Sequence, residues 1–270
     1  MRGTCKKLSK ERNIQIYQAA YQFLEQLKPD SVNLENYFYG DNRDFQSLEE
    51  VYIRFIVSAQ NYQRMPNVIA FDKREPEISE ILYRYDIEKI SGMVADDLYT
   101  EFRQRFNVTT PDSKKNSWYK WSCSVIDSAK FVGGFKDAAD FDEFVRRFDY
   151  NASSRIALPL LIQSRIRGIG FALACDLLKE LGYTSYTKPD VHLTDIFNAL
   201  GLCERNPISV FEAIERMADD CMTEDPDVTP YRVDKVFWLI CSGNFYNETP
   251  PIRIKGRKKE LIEYLKKMDE

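Results

Sequence analysis

Two stretches decide how this chain is read: Arg165-Ile166-Arg167-Gly168-Ile169-Gly170-Phe171-Ala172-Leu173-Ala174-Cys175-Asp176-Leu177-Leu178, and Lys188-Pro189-Asp190-Val191-His192 shortly after it. Apolar residues recur at helical spacing on both sides of the glycine pair, so residues 165–170 read as a tight turn between two helices. Glycines suit a place where the backbone takes a positive φ or approaches a ligand closely. The N–H groups of the helix that follows suit a phosphate. Pro189 disfavours helix just before it, and residues 191–202 regain helical spacing, which predicts Asp190 as an N-cap. The peptide dipoles at that terminus favour the ionised carboxylate, a fixed charge able to stabilise a developing cation or orient a water.

Outward from this core the same periodicity continues, and alternating strand-like runs are scarce, so the expected fold is all-α. Helices are predicted at residues 10–27, 47–62, 78–85, 86–93, 95–106, 116–132, 140–148, 152–165, 171–181, 191–202, 208–222, 230–245 and 257–268. Breakers separate them, among them Lys28-Pro29-Asp30, Thr110-Pro111-Asp112, Gly133-Gly134, Asp225-Pro226-Asp227 and Thr249-Pro250-Pro251. No internal repeat and no low-complexity tract is found.

The 270 residues allow one or two domains, with 44% hydrophobic and 30% charged content typical of a globular chain. A net charge of −4 carries no bulk signature of a nucleic-acid binder. Any nucleic acid would have to be held by a local patch or by backbone amides. The six cysteines lie far apart, so zinc and iron–sulfur clusters are not expected and the thiols read as reduced core residues of an intracellular protein. No run approaches membrane-spanning length, and neither a signal peptide nor an anchor is expected.

The Gly168-Ile169-Gly170 turn, its helix and the Asp190-Val191-His192 triplet resemble the helix-hairpin-helix DNA glycosylases, the superfamily of endonuclease III and the 8-oxoguanine glycosylases. In lyase-competent members a lysine stands two residues past the second hairpin glycine, with the aspartate about eighteen residues further on. Here that register holds between Ala172 and Asp190, but the lysine is missing. Two more segments are similar to the family. Phe55-Ile56-Val57-Ser58-Ala59-Gln60-Asn61 looks like an early helix whose closing glutamine lies at the DNA face, and the match is Gln60. Val233-Asp234-Lys235-Val236-Phe237-Trp238-Leu239-Ile240-Cys241-Ser242-Gly243 is similar to a helix bordering the base pocket in the archaeal-type 8-oxoguanine glycosylases.

The resemblance implies two helical lobes with a cleft between them. The central barrel lobe would span 47–182, with the helix-hairpin-helix at about 158–181, and 1–46 would join 183–270 in the second lobe. It implies an intracellular, monomeric DNA glycosylase of base excision repair, acting in the cytoplasm or nucleoid, or in a nucleus, on double-stranded DNA with a damaged or modified base. Asp190 is the expected catalytic residue. Gly168, Ile169, Gly170, Ala172, Arg165, Arg167, Gln60 and His192 are expected to meet DNA, and Phe171 and Trp238 to border the base. The resemblance allows a monovalent cation at the hairpin, and without the closely spaced C-terminal cysteines that hold an iron–sulfur cluster in several relatives no other cofactor is expected. Without an amine at Ala172 the expected reaction uses water and leaves an abasic site, with no lyase step. The alternative is a noncatalytic helix-hairpin-helix protein that uses the turn only as a backbone grip. Asp190 separates the two, since a grip needs no carboxylate there.

Overall fold

Side-chain capping sets where most of the helices begin. Ser9 accepts a hydrogen bond from the Arg12 amide ahead of α1 (Lys10–Leu27), and Ser47, Asn116, Asp137, Asn151, Asn206 and Thr229 do the same ahead of later helices. The computed structural model describes residues 9–38, 45–62 and 65–268, and among them the protein is all-α. The exceptions are a 3-10 turn at Leu34–Tyr37 and one two-stranded antiparallel ribbon.

The described residues within Arg43–Leu181 form one compact unit. It contains α2 (Leu48–Ala59), α3 (Met65–Ile69), α4 (Phe71–Ile81), α5 (Ile87–Ser91), α6 (Ala95–Arg105), α7 (Ser117–Val132), α8 (Ala138–Arg146), α9 (Ala152–Arg165) and α10 (Phe171–Glu180). α7 is its central post, packed on α2, α5 and α6 and buried along most of its length. Trp118 and Trp121 are both core residues. The Trp121 indole N–H donates to the Ile56 carbonyl at 2.9 Å, and the Trp118 ring stacks on Phe106 at 4.9 Å. A buried indole needs such a partner, so this bond pins α7 to α2.

The helix predicted at 78–85 is observed at Phe71–Ile81 and runs through Pro76. The helix begins instead at Phe71, after Ala70 in the left-handed region. Arg74 secures that junction by donating to the Val68 and Ile69 carbonyls at the end of α3, with its guanidinium over the Phe106 and Trp118 rings. α3, five residues long and closed by an arginine, is too short to leave an apolar periodicity to find.

The second unit takes the described residues within Met1–Asn42 and Gly182–Glu270. α1 packs on α12 (Pro207–Cys221) and α13 (Pro230–Ser242), with α11 (Val191–Ala199) and α14 (Lys258–Lys267) completing it. Arg12 donates to the Leu200 carbonyl at 3.0 Å and Asn13 to Asp220 at 2.7 Å, joining the N-terminal helix to chain almost two hundred residues away. α13 ends at Ser242 rather than running to 245. Gly243 takes φ +60°, and a Cβ on it would lie 2.2 Å from the Ile254 carbonyl oxygen. The strands β1 (Asn244–Phe245) and β2 (Ile252–Arg253) follow, with Asn244 opposite Arg253. None of the described helices is long and apolar enough to cross a membrane.

Candidate functional site

The hairpin divides its two glycines between two tasks. Gly168 has φ +85°, and a Cβ there would sit 2.6 Å from Ser124 Oγ. That hydroxyl donates to the Arg167 carbonyl at 2.6 Å, so α7 holds the turn from below. Gly170 has an ordinary extended backbone and is the N-cap of α10 without any side-chain cap, and a Cβ on it would meet nothing within 4 Å. Gly168 is therefore required by conformation, whereas Gly170 leaves backbone uncovered at a helix N-terminus. Between them Ile169 is buried as an apolar plug, and its amide closes the turn onto the Ile166 carbonyl at 3.3 Å.

Arg167 is committed to the same brace. Its Nε and Nη2 bond the two oxygens of Asp127 at 2.6 and 2.8 Å, and its amide adds a third bond at 3.0 Å. The pairing raises its pKa further and neutralises most of the charge expected to meet DNA. Arg165 is exposed, and Ala172 is half-buried in the first turn of α10.

In the other unit Asp190 is the N-cap of α11. Its Oδ1 accepts from the His192 amide at 2.7 Å and the Leu193 amide at 3.1 Å, while Oδ2 has no hydrogen-bond partner among the described residues. The segment before it is strapped to α13, because the buried Asp234 accepts from the Lys188 amide at 2.9 Å. The Asp190 amide in turn donates to the Lys188 carbonyl at 2.8 Å. The direction of the Asp190 pKa shift is opposite to that of the helix terminus alone. Burial raises the Asp190 pKa and the nearby Asp234 charge adds to the rise, while the Leu193 amide, His192 and the His192 amide only partly offset them. Desolvation and a like charge outweigh the helix terminus. His192 is half-buried, and its Nδ1 has no hydrogen-bond partner among the described residues.

Other expected residues lie elsewhere in the packing. Gln60 is not presented at a surface. It is 6% exposed, and its side-chain oxygen accepts from the Phe71 amide at 3.2 Å, which ties the end of α2 to the start of α4. Phe171 is 7% exposed and belongs to the interior of its unit. Trp238 is half-buried, edge-on to Tyr246 at 5.9 Å and 5.5 Å from the Lys235 ammonium. Lys179 is buried in an ion pair with Asp176 at 3.2 Å. Lys235, which sequence reasoning passed over, is buried and hydrogen-bonded to the Tyr246 hydroxyl, with Tyr231 and Tyr246 rings around its ammonium. Only its place beside Asp234 in the sequence could have drawn attention to it.

Among the described residues the five cysteines are free and buried, and no three His, Cys, Asp or Glu side chains converge as a metal site. The chain matches no family model, no curated protein and no solved structure.

Gly168→Ala is expected to cost about 2–3 kcal/mol, from the left-handed φ and the displaced Ser124 bond. Gly170→Ala should stay within about 1 kcal/mol of the parent. Urea denaturation of the two variants measures the difference, and equal losses would contradict the division of tasks. Capping and charge make opposite demands at position 190. Asp190→Ala should lose about 1 kcal/mol with its cap. Asp190→Asn keeps an acceptor and removes a buried charge, so it should melt at or above the parent temperature at neutral pH. The sign follows from the raised pKa: the contribution of Asp190 is full below the ordinary carboxylate range and is lost as pH rises through the raised value. The advantage of the Asn variant should therefore disappear in acid, as melting curves across pH would show.

Proposed function

We propose that this chain is a DNA glycosylase that uses water to release a damaged or modified base and leaves an abasic site. The observation that carries the proposal is the Asp190 carboxylate, with one oxygen fixed by two backbone amides, the other without a hydrogen-bond partner among the described residues, and a pKa raised by burial beside Asp234. A structural cap needs only the first oxygen, and holding the charge where it is desolvated costs stability. Perturbed carboxylates of this kind concentrate at reacting centres.

The chemistry follows from the placement. A base in a duplex must be extruded before its sugar can be reached. As the N-glycosidic bond breaks, its electron pair leaves with the base and positive charge builds on the sugar. Ionised Asp190 stabilises that charge. Water then adds to the anomeric carbon and gives a proton to the carboxylate, for which a raised pKa is suitable. The hairpin supports a second part of the proposal, a grip on the DNA backbone. The uncovered Gly170 and the first amides of α10 supply donors for one phosphate, with or without a monovalent cation, and exposed Arg165 adds charge. Ala172 supplies no amine and Lys179 is held by Asp176, so the proposal includes no covalent intermediate. Oxidised purines are the favoured substrates, on the likeness of residues 233–243 to the base-pocket helix. The competing proposal, a noncatalytic grip, draws on the same hairpin, but it leaves the desolvation of Asp190 without a use.

A panel of duplexes with single lesions separates the two. The expected result is strand breakage only after alkali, lost by at least about a hundredfold in Asp190→Asn. Release that survives in the folded Asn variant, breakage without alkali, or an adduct trapped by borohydride would each overturn the mechanism. Tight duplex binding with no release from any lesion would favour the grip. The rate should also fall in acid with a midpoint above the ordinary aspartate range, because Asp190 must be ionised to act and its pKa is raised. Asp234→Asn keeps an acceptor for the Lys188 amide and removes the like charge, so a pH–rate profile should show that limb moved to lower pH.

A further inference from the structure

In the unit that contains the hairpin, a cavity of about 360 Å³ lies beside the Gly168 turn. Its volume falls within the roughly 300–1,000 Å³ of small-molecule sites. The buried part of its lining is neutral and largely apolar. Met65 is a core residue, and burial pushes the Cys123 thiol pKa up, so that thiol stays uncharged. The Ser124 hydroxyl there is already committed to the Arg167 carbonyl. The exposed part carries Tyr62, Lys114 and Lys120. α7 sorts its aromatic residues accordingly: Trp118 and Trp121 turn into the core, and half-buried Tyr119 lines the cavity.

Charge and ring geometry narrow the ligand. The charged residues of the lining are all basic, and among the described residues no Asp or Glu lines it. Arg167 is neutralised by Asp127, which leaves the two lysines. Each stands near a tyrosine ring: the Lys120 ammonium is 5.9 Å from the Tyr62 ring and that of Lys114 is 5.8 Å from the Tyr119 ring. An ammonium at an exposed ring face is held weakly, and a base stacked on that face gains more. The displaced ammonium, on its flexible stem, can then pair with the phosphate of the same nucleotide. An inorganic anion would leave the rings unused, and an apolar molecule would leave the lysines unused. A nucleotide uses both. Two tyrosine–lysine pairs on one cavity repeat the same chemistry, which suits successive nucleotides of a strand better than one free nucleotide. A base inside a duplex shows neither face, so the nucleotides must be unpaired.

We infer that this cavity binds unpaired nucleotides of single-stranded DNA, with bases on Tyr62 and Tyr119 and phosphates on Lys120 and Lys114. The choice of DNA rests on the grip proposed for the hairpin, and nothing in the inference rests on Asp190 or on base release.

The test is fluorescence anisotropy of the full chain with a labelled thymidylate octamer, an octamer of the same backbone without bases, and a duplex. The base-bearing strand should bind about tenfold or more tightly than the baseless one. Thymidine 5′-monophosphate should compete about a hundredfold more weakly than the octamer. Tyr62→Ala and Tyr119→Leu should each remove most of the preference for bases, with circular dichroism melts confirming the fold. Lys120→Gln should weaken both strands alike. Equal binding of the two strands, no saturation by the octamer at low salt, or a monophosphate that competes as well as the octamer would overturn the inference. So would a preference that survives in folded Tyr62→Ala; should the Tyr119 variant fail to fold, exposed Tyr62 decides. Duplex binding without any preference for bases would overturn the inference and leave the hairpin grip standing. A preference for bases with no duplex binding would support the inference and count against the grip.

Discussion

The mouth of α11 holds a conflict between capping and burial. Asp190 gives the helix what a terminus asks for, an oxygen across the first free amides, and those amides favour the ionised group. The same site removes water from the carboxylate and faces it with Asp234. Asp234 cannot easily be given up, because its oxygen fixes the Lys188 amide and so the path of Lys188-Pro189-Asp190 into the helix. The strap that positions Asp190 therefore also perturbs it. A protein selected for stability alone would resolve this with Asn or Ser at 190, each able to cap without charge. Capping alone does not account for an acid at 190, and the proposed chemical role does.

The hairpin shows the opposite economy. Its irregular backbone is over-determined from beneath: Ser124 holds one carbonyl, Asp127 holds both the side chain and the amide of Arg167, and Ile169 is driven into the interior. Only the outer side around Gly170 is left without contacts. Rigid support under exposed donors is what a backbone grip requires, since donors that are already fixed lose little freedom when an anion arrives.

Much of this was legible in the sequence wherever the signal is local. α1 and α9 begin and end where their spacing and caps place them, and α9 runs through Pro159 without interruption. The glycine turn, its helix and the capping Asp190 follow from residue types within a few positions of one another. The expected lobes, 47–182 and the two chain ends, stand beside units divided at Asn42/Arg43 and Leu181/Gly182. Where long-range packing decides, the pattern was silent or misleading. The ribbon has two residues per strand and exists because Gly243 accommodates Ile254 against its backbone. Gln60 looks like a polar helix end and is instead a buried acceptor, because α4 starts where its side chain can reach Phe71. The like charge beside Asp190 comes from Asp234 on α13, far along the chain, and burial adds to it, so periodicity predicted the sign of the dipole and missed the larger influences opposing it.

The same distinction explains why the missing lysine at 172 carries more weight than its bare absence would. A nucleophilic amine must be uncharged to attack, which requires a site that desolvates it away from carboxylates. Lys179, on the same helix, is buried and engaged in an ion pair with Asp176 at 3.2 Å. Water needs no such preparation; it needs an acceptor, and the free oxygen of Asp190 is one. A carboxylate whose pKa is raised accepts a proton more readily than an ordinary one, while remaining charged at a pH above that value. Burial at the mouth of α11 thus weakens the cap as a stabilising device and strengthens it as a base, which under the proposed glycosylase activity favours water over an amine as the nucleophile.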